Sequence, residues 1–357
     1  MTNLRLAKPS ELSAADWQLW SELQAANPLL ESPYFRPEFT QAVAAVRDDV
    51  EIGLLQSGGQ IAGFFPFQRG SLNLGKPVGG KLSDYHGIIA PADAPLQPTE
   101  LIGGCRLAGW DFDHLVAQPA FDPFVSVREE SPYLDLSQGY EAYCKARKAA
   151  GSDVVAKTNQ KARKCEREVG PLTFEFDCRD DGLFQQLRAW KSAQYERTGL
   201  ADVFAFPWTV KLLDQLRQNQ TDGLSCPLSV LRCGDRPACI ALSLVSGSVL
   251  HCWFIAYEPE LAPYSPGQTF FLRLAEAAAG RGIRKIDLGK GDERYKWSLA
   301  SAGIPVWEGT VGSKSLPLLL RSVWRQTRDW VNNSALRKTT ELPARLIKPI
   351  RNWLAYH

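Results

Sequence analysis

Two short stretches of the chain concentrate residues that can do chemistry. The first is Ser265-Pro-Gly-Gln-Thr, which opens an apolar, helix-period run to Ala279. Ser265 suits an N-cap, Pro266 the first helical position, and Gln268 would complete a Ser-x-x-Gln capping box. Gly267 brings no side chain to the mouth of that helix. A helix N-terminus carries free N–H groups and about half a positive charge, so it attracts phosphate. A glycine there lets the pyrophosphate of a nucleotide-like cofactor reach the backbone, which makes Ser265, Pro266, Gly267, Gln268 and Thr269 candidate cofactor-binding residues. The second stretch, residues 287–297, holds Asp287, Gly289, Gly291, Asp292, Glu293, Arg294, Tyr295 and Lys296. Tyr295 beside Lys296 is a candidate proton donor, a phenol whose pKa a neighbouring cation can lower. Lys296 can instead face a developing oxyanion or a phosphate.

The elements that must position these residues are legible on either side. Residues 248–257 are β-branched and aromatic, 265–279 read as a helix stopped by Gly280 and Gly282, and 283–288 as a strand. That is one β-α-β unit, with both stretches where ligands sit in open α/β sheets, beyond the carboxyl ends of strands. Upstream come a strand at 172–176, a helix at 181–198, a Pro-started helix at 206–216, and strands at 228–233 and 238–244 around Gly234-Asp235. A Pro-started helix at 37, followed by strands at 50–56 and 60–67 around Ser57-Gly58-Gly59, repeats that order about 175 residues earlier. A further helix is expected at 13–26. The repeat predicts two similar α/β domains, 1–170 and 171–315, each a mixed central sheet flanked by helices. The charged helical stretch before Gly170 (Lys145, Arg147, Lys148, Lys157, Lys161, Arg163, Lys164) reads either as a solvated link or as a basic wall over an anionic ligand.

The 357 residues carry 41 Lys and Arg against 39 Asp and Glu. The net +2 hides an asymmetry. Residues 316–357 hold eight basic and two acidic residues, +6, which leaves −4 on the first 315. Aromatic and aliphatic residues interleave with the tail's arginines, so it reads either as helices packed on the body or as a basic amphipathic segment resting on anionic lipid. No apolar run approaches the ~20 residues of a membrane span, and the chain is expected to be cytoplasmic, with peripheral contact at the inner face of the membrane through its tail. The eight cysteines form no CxxC pair and there are four histidines; dispersed buried thiols are expected, with no metal centre.

The order Ser-Pro-Gly-Gln, helix, then Gly282-Ile-Arg-Lys-Ile-Asp-Leu-Gly-Lys-Gly-Asp-Glu-Arg-Tyr-Lys296 resembles the C-terminal half of CelD/BcsL-type acyltransferases, of the GCN5-related N-acetyltransferase (GNAT) superfamily. Ser32-Pro33-Tyr-Phe and Lys81-Leu-Ser-Asp-Tyr-His-Gly87 are similar to its N-terminal half. The resemblance covers residues 15–315. It implies tandem GNAT-like domains, with the cofactor half second, and acyl transfer from acetyl-CoA or another acyl-CoA to an amine, in bacterial exopolysaccharide or cellulose production. The full Gln/Arg-x-x-Gly-x-Gly/Ala pyrophosphate loop of ordinary GNAT enzymes is absent. Related Fem-type transferases use aminoacyl-tRNA, which leaves tRNA as an alternative partner and a catalytically silent binding module as a third reading.

Acyl transfer needs a deprotonated amine, a stabilised oxyanion and a proton for the departing thiolate. Tyr295 and Lys296 are assigned to the last two. His86, flanked by Asp84 and Tyr85, is the candidate base, since an imidazole titrates near ~6.5; a structural hydrogen bond is the alternative. His251, inside an apolar strand, reads as a core residue. Asp287, Gly289, Gly291, Ser32 and Tyr85 are candidate substrate-binding residues.

Overall fold

The computed structural model describes residues 3–291 and 293–312, so the basic segment 316–357, with the membrane contact expected of it, lies outside them. The described residues form two units: residues 3–30, 43–128 and 307–312 make one, and residues 31–42 and 129–306 the other. Both combine a sheet with flanking helices, so the fold is mixed α/β as the sequence predicts.

The first unit comprises β1 (Asn3–Ala7), α1 (Ala14–Ala26), β2 (Val50–Ser57), β3 (Gln60–Arg69), β4 (Leu74–Lys76), α3 (Pro98–Gly104) and β5 (Gly109–Val116). Helix α2 (Pro37–Ala44) lies between α1 and β2 in the chain, but its residues up to Ala42 group with the second unit. The strands run in the order β1-β2-β3-β4-β5, antiparallel except for β4 and β5. The β2–β3 turn is the expected one: Gly58 and Gly59 take φ of +57° and +81°, which a two-residue hairpin with right-handed strand twist requires. Phe65, Phe67, Trp110, Phe112 and Phe121 fill its core, and Trp20 of α1 stacks on Phe64.

The second unit holds β6 (Val125–Asp135), α4 (Tyr140–Ala149), α5 (Val154–Glu168), β7 (Leu172–Glu175), α6 (Asp181–Thr198), α7 (Pro207–Gln218), β8 (Leu228–Cys233), β9 (Arg236–Ser246), β10 (Val249–Tyr257), α8 (Pro266–Ala279), β11 (Lys285–Asp287), α9 (Arg294–Leu299) and β12 (Ala302–Gly312). The division between units falls within β6 and within β12. The strand order is β6-β11-β10-β9-β8-β7, and β10 with β11 is the parallel pair that the β-α-β reading demands.

The charged stretch does not close the first unit. Gly151, at φ +77°, breaks it into α4 and α5. Tyr143, Val154 and Cys165 then bury in the same core as Phe270, Leu274 and Ile286 of α8 and β11. Val154, Thr158, Ala162 and Cys165 recur at helical spacing and face inward, leaving the lysines outside. The boundary expected at 170 therefore differs from the packed division, because an amphipathic helix follows its apolar stripe.

Candidate active site

Strands β10 and β11 pair for only three residues, ending at His251 and Asp287. Beyond that point β10 continues along β9, with its register shifted between Cys252 and Phe254 so that Trp253 is the extra residue of a bulge. The chain after β11 turns away. The parallel pair thus ends early at its carboxyl edge, and two loops follow its strands: the one leading from β10 into α8 and the one after Asp287.

Asp287 builds the second loop. It is 2% exposed, and its Oδ1 accepts from Ser131 Oγ and from the Gly289 amide, both at 2.8 Å. Gly289 takes φ +73°, a left-handed conformation that costs a side-chain-bearing residue ~1 kcal/mol or more. His251 Nδ1 stands 3.6 Å from the same carboxylate, and the Tyr34 ring meets the His251 and Trp253 rings edge-on. Asp287 thereby orients the loop.

Tyr295 and Lys296 stand on the short helix α9. Lys296 is 9% exposed. Its Nζ donates to the Gly289 and Lys290 carbonyls at 3.2 Å each and pairs with Glu293 Oε2 at 3.2 Å. Gly291 allows that pairing, since a Cβ there would fall 2.1 Å from Glu293 Oε2 and 3.0 Å from Lys296 Nζ. Helix α4 fixes the far end of α9: Tyr143 Oη donates to the Leu299 carbonyl at 2.7 Å, and Arg147 donates to that of Ala300. The Tyr295 ring stacks on Phe271 of α8, 6.1 Å between centroids. Burial pushes its phenol well above the ordinary range, with Cys252 and Glu293 adding to the effect. This corrects the expectation that Lys296 lowers it; Tyr295 stays protonated through neutral pH.

Two lysines stand here, of which the sequence did not single out Lys191. Lys191 of α6 lies over the Tyr195 ring at 5.0 Å and donates to Gln194 Oε1 at 3.2 Å. Burial pulls its ammonium pKa down; Lys296 adds to that, while Cys252 and Glu293 oppose it. Lys161 of α5, one of the lysines of the charged stretch, donates to Ser265 Oγ at 2.7 Å. No local pattern marks Lys191, and the charge run does not set Lys161 apart from its neighbours; the packing of α5 and α6 brings them here.

At the head of α8, Pro266 occupies the first helical position as expected, but the capping box does not form. Ser265 adopts φ +54°, ψ +56°, and its side chain makes no cap hydrogen bond; the hydroxyl turns to Lys161 instead. The Gly267 and Gln268 amides have no acceptor within the helix. A Cβ on Gly267 would meet nothing within 4 Å. Thr269, 4% exposed, has a buried Oγ1 with no hydrogen-bond partner among the described residues. Ser32 Oγ, in the same unit, is likewise buried and unmatched.

His86, Asp84 and Tyr85 belong to the first unit. His86 is 7% exposed, and its Nε2 accepts the backbone amides of Asp113 and His114 at 3.0 and 2.9 Å. The lone pair that a general base would use is therefore taken, and the structural alternative is the one the geometry favours. Tyr85 is buried and Asp84 half-buried. His86, Asp113 and His114 bring potential metal-ligand atoms within 4.8 Å of one another; the two amides engage His86 Nε2, the Lys81 ammonium lies 2.5 Å from Asp113 Oδ2, and His114 Nδ1 stands 3.2 Å from Asp113 Oδ1. Burial lowers the His86 pKa below the ordinary value. The stability this contributes is present above ~6.5, the unfolded pKa, and is lost as pH falls through the lower folded value. His86→Gln, whose amide oxygen can also accept an N–H, is expected to flatten the fall in melting temperature between pH 7 and pH 5. Equal slopes for variant and wild type would dismiss that role.

Residues 152–297 match the model of a family described as an acetyltransferase (GNAT) domain. No curated protein matches the chain. Among solved structures, the C-terminal domain of a candidate lysylphosphatidylglycerol synthetase from Agrobacterium fabrum is similar at 13% identity, covering 87% of this chain and 95% of that one, with a TM-score of 0.53. FemX is similar at 9% identity over 86% and 96% of the two chains, TM-score 0.52. A tandem GNAT protein from the clavulanic acid biosynthesis pathway is similar at 10% identity over 88% and 100%, TM-score 0.51. At such identities these likenesses show the fold, a GNAT-type arrangement extending over most of the chain. Among the described residues no helix is long and apolar enough to cross a membrane.

Proposed function

We propose that the chain is an N-acyltransferase of the CelD/BcsL kind, which passes an acyl group from acetyl-CoA or a longer acyl-CoA to an amine on an amino sugar or a cell-envelope precursor. The observation that carries this reading is the open head of α8 at the carboxyl edge of the parallel pair. Its free amides at Gly267 and Gln268, the unmatched Thr269 hydroxyl and the Lys161 ammonium suit a diphosphate. The CoA thioester supplies the activated acyl group. Tyr295, kept protonated by burial, gives a proton to a departing sulfur, and Lys296 holds positive charge beside the loop where negative charge develops. Ser32 offers its unmatched hydroxyl to the acceptor, and Asp287 fixes the loop.

A thermal-shift series with acetyl- and longer acyl-CoAs tests the reading. Ligand at ~100 times its Kd stabilises by ~2.7 kcal/mol, so the melting temperature should rise by several degrees. No rise with any acyl-CoA would remove the basis of the proposal.

The exposed basic side of α5 supports a second reading, a Fem-like aminoacyl-tRNA donor. Lys157, Lys161, Arg163 and Lys164 all face outward there. In that case tRNA binding should weaken steeply with salt and fall with charge reversal at these four positions. Binding that ignores both would leave acyl-CoA as the donor to pursue.

A further inference from the structure

The eight cysteines are all unbridged, yet packing brings two of them together from 68 positions apart. Cys165 ends the buried stripe of α5, and Cys233 is the last residue of β8. Their sulfurs lie 3.1 Å apart, inside the ~3.5–4.0 Å of ordinary non-bonded contacts and about 1 Å beyond a disulfide bond of ~2.05 Å. Cys233 Sγ donates to the Gly170 carbonyl at 3.1 Å, so the Cys165 thiol is the donor to the Cys233 sulfur.

The surrounding backbone holds the pair in place. Gly170 N donates to the Cys165 carbonyl at 3.3 Å, and Gly234 N to that of Pro171 at 2.8 Å. Leu172 pairs with Cys233 in the β7–β8 ladder. A Cβ on Gly170 would fall 3.2 Å from the Gly234 backbone, so the turn after α5 lies directly against the turn after β8. The two sulfurs face each other across a junction fixed on both sides, 4% and 1% exposed. The Cys105 and Cys226 thiols are buried too, but no sulfur contact of this kind joins them to another cysteine among the described residues.

We infer that Cys165 and Cys233 are a disulfide-forming site, closed by a two-electron oxidant of the small-molecule disulfide class. One protein thiolate attacks the small disulfide and releases one thiol, leaving a mixed disulfide. The second protein thiolate then attacks the protein sulfur and releases the other small thiol. Two protons leave the protein and two electrons pass to the oxidant, so dithiol plus disulfide gives protein disulfide plus two small thiols. Burial pushes the Cys165 thiol up to about 12, so exchange should be slow and should quicken with rising pH. The bond would tie the end of the helix that bears Lys161 to the sheet, one turn beyond that lysine.

The test uses the full chain, incubated with oxidised glutathione at pH 8 and then denatured with all free thiols blocked. Non-reducing peptide mapping should find the Cys165 and Cys233 peptides joined, and thiol titration should fall from eight to six. The closed loop of 68 positions should raise the melting temperature by ~5 °C or more relative to the same sample after reduction. Cys165→Ala and Cys233→Ala should each abolish the cross-link, and the map of the wild-type chain stands whether or not either variant folds. Eight free thiols after equilibration, stable glutathione adducts on either residue, or a link between other cysteines would each overturn the inference.

Discussion

Lys296→Met is expected to lower kcat/KM by at least ~100-fold while leaving a folded protein. Removing one preorganised electrostatic partner from a site of developing negative charge costs ~10²–10³ in rate, and here that partner is a buried ammonium acting through its charge while its N–H groups hold the loop. The variant keeps the length of the aliphatic stem, so packing around α9 survives. What it loses is the hydrogen bonding of Nζ to the Gly289 and Lys290 carbonyls and the pairing with Glu293. Carbonyls that lose such a donor cost ~1–3 kcal/mol in stability, so a drop of several degrees in melting temperature should accompany the kinetic loss. Lys296→Arg should not rescue activity. A planar guanidinium cannot repeat the convergent donors of an ammonium, and the space is closed by Gly291, where even a Cβ would come within 3.0 Å of Nζ. Steady-state release of free thiol, read beside a circular-dichroism melt, separates the two effects. A folded Lys296→Met with activity within a few-fold of wild type would remove Lys296 from the chemistry and leave it a structural role in the loop.

The elements of the second unit were legible where a local signal closed them. Helix α6 begins and ends as read because Asp180 accepts the Gly182 and Leu183 amides and Gly199 closes the last turn at φ +70°. The hairpins were legible because Gly58, Gly59 and Gly234 supply positive φ between apolar runs. What depends on distant partners was not. Ser265 reads as an ordinary N-cap, yet Lys161, 104 positions away, takes its hydroxyl. Tyr295 reads as a phenol beside a cation, yet burial against α8 outweighs the neighbour and moves its pKa the other way. Residues 31–42 precede the first hairpin in the chain but place Tyr34 and Phe39 against Trp253, an affiliation that no periodicity encodes. The same limit hid the contact between Cys165 and Cys233, because spacing is informative only for ligands close in sequence.

Gly267→Glu should separate the binding of a phosphorylated donor from the stability of the fold. In the free protein the substitution meets no steric obstacle, since nothing stands within 4 Å of the new Cβ. It replaces a glycine in a helix, which gains ~0.5–1 kcal/mol, and puts a carboxylate in the first turn, which gains ~0.3–1 kcal/mol from the helix dipole. The Lys161 ammonium at Ser265 adds a favourable partner. The unliganded melting temperature should therefore hold or rise. Binding should move the other way. The carboxylate would occupy the space proposed for the diphosphate, where juxtaposed like charges cost several kcal/mol; at 1.4 kcal/mol per tenfold the Kd for acyl-CoA should weaken by at least ~100-fold. Gly267→Ala grades the result, because it fills the space without charge: a small loss would assign most of the glutamate effect to repulsion, a large one to the closeness of the backbone approach. Paired melts with and without acyl-CoA read all of these at once. A glutamate variant that keeps the full ligand-induced shift would place the donor elsewhere, however well the head of α8 suits a phosphate.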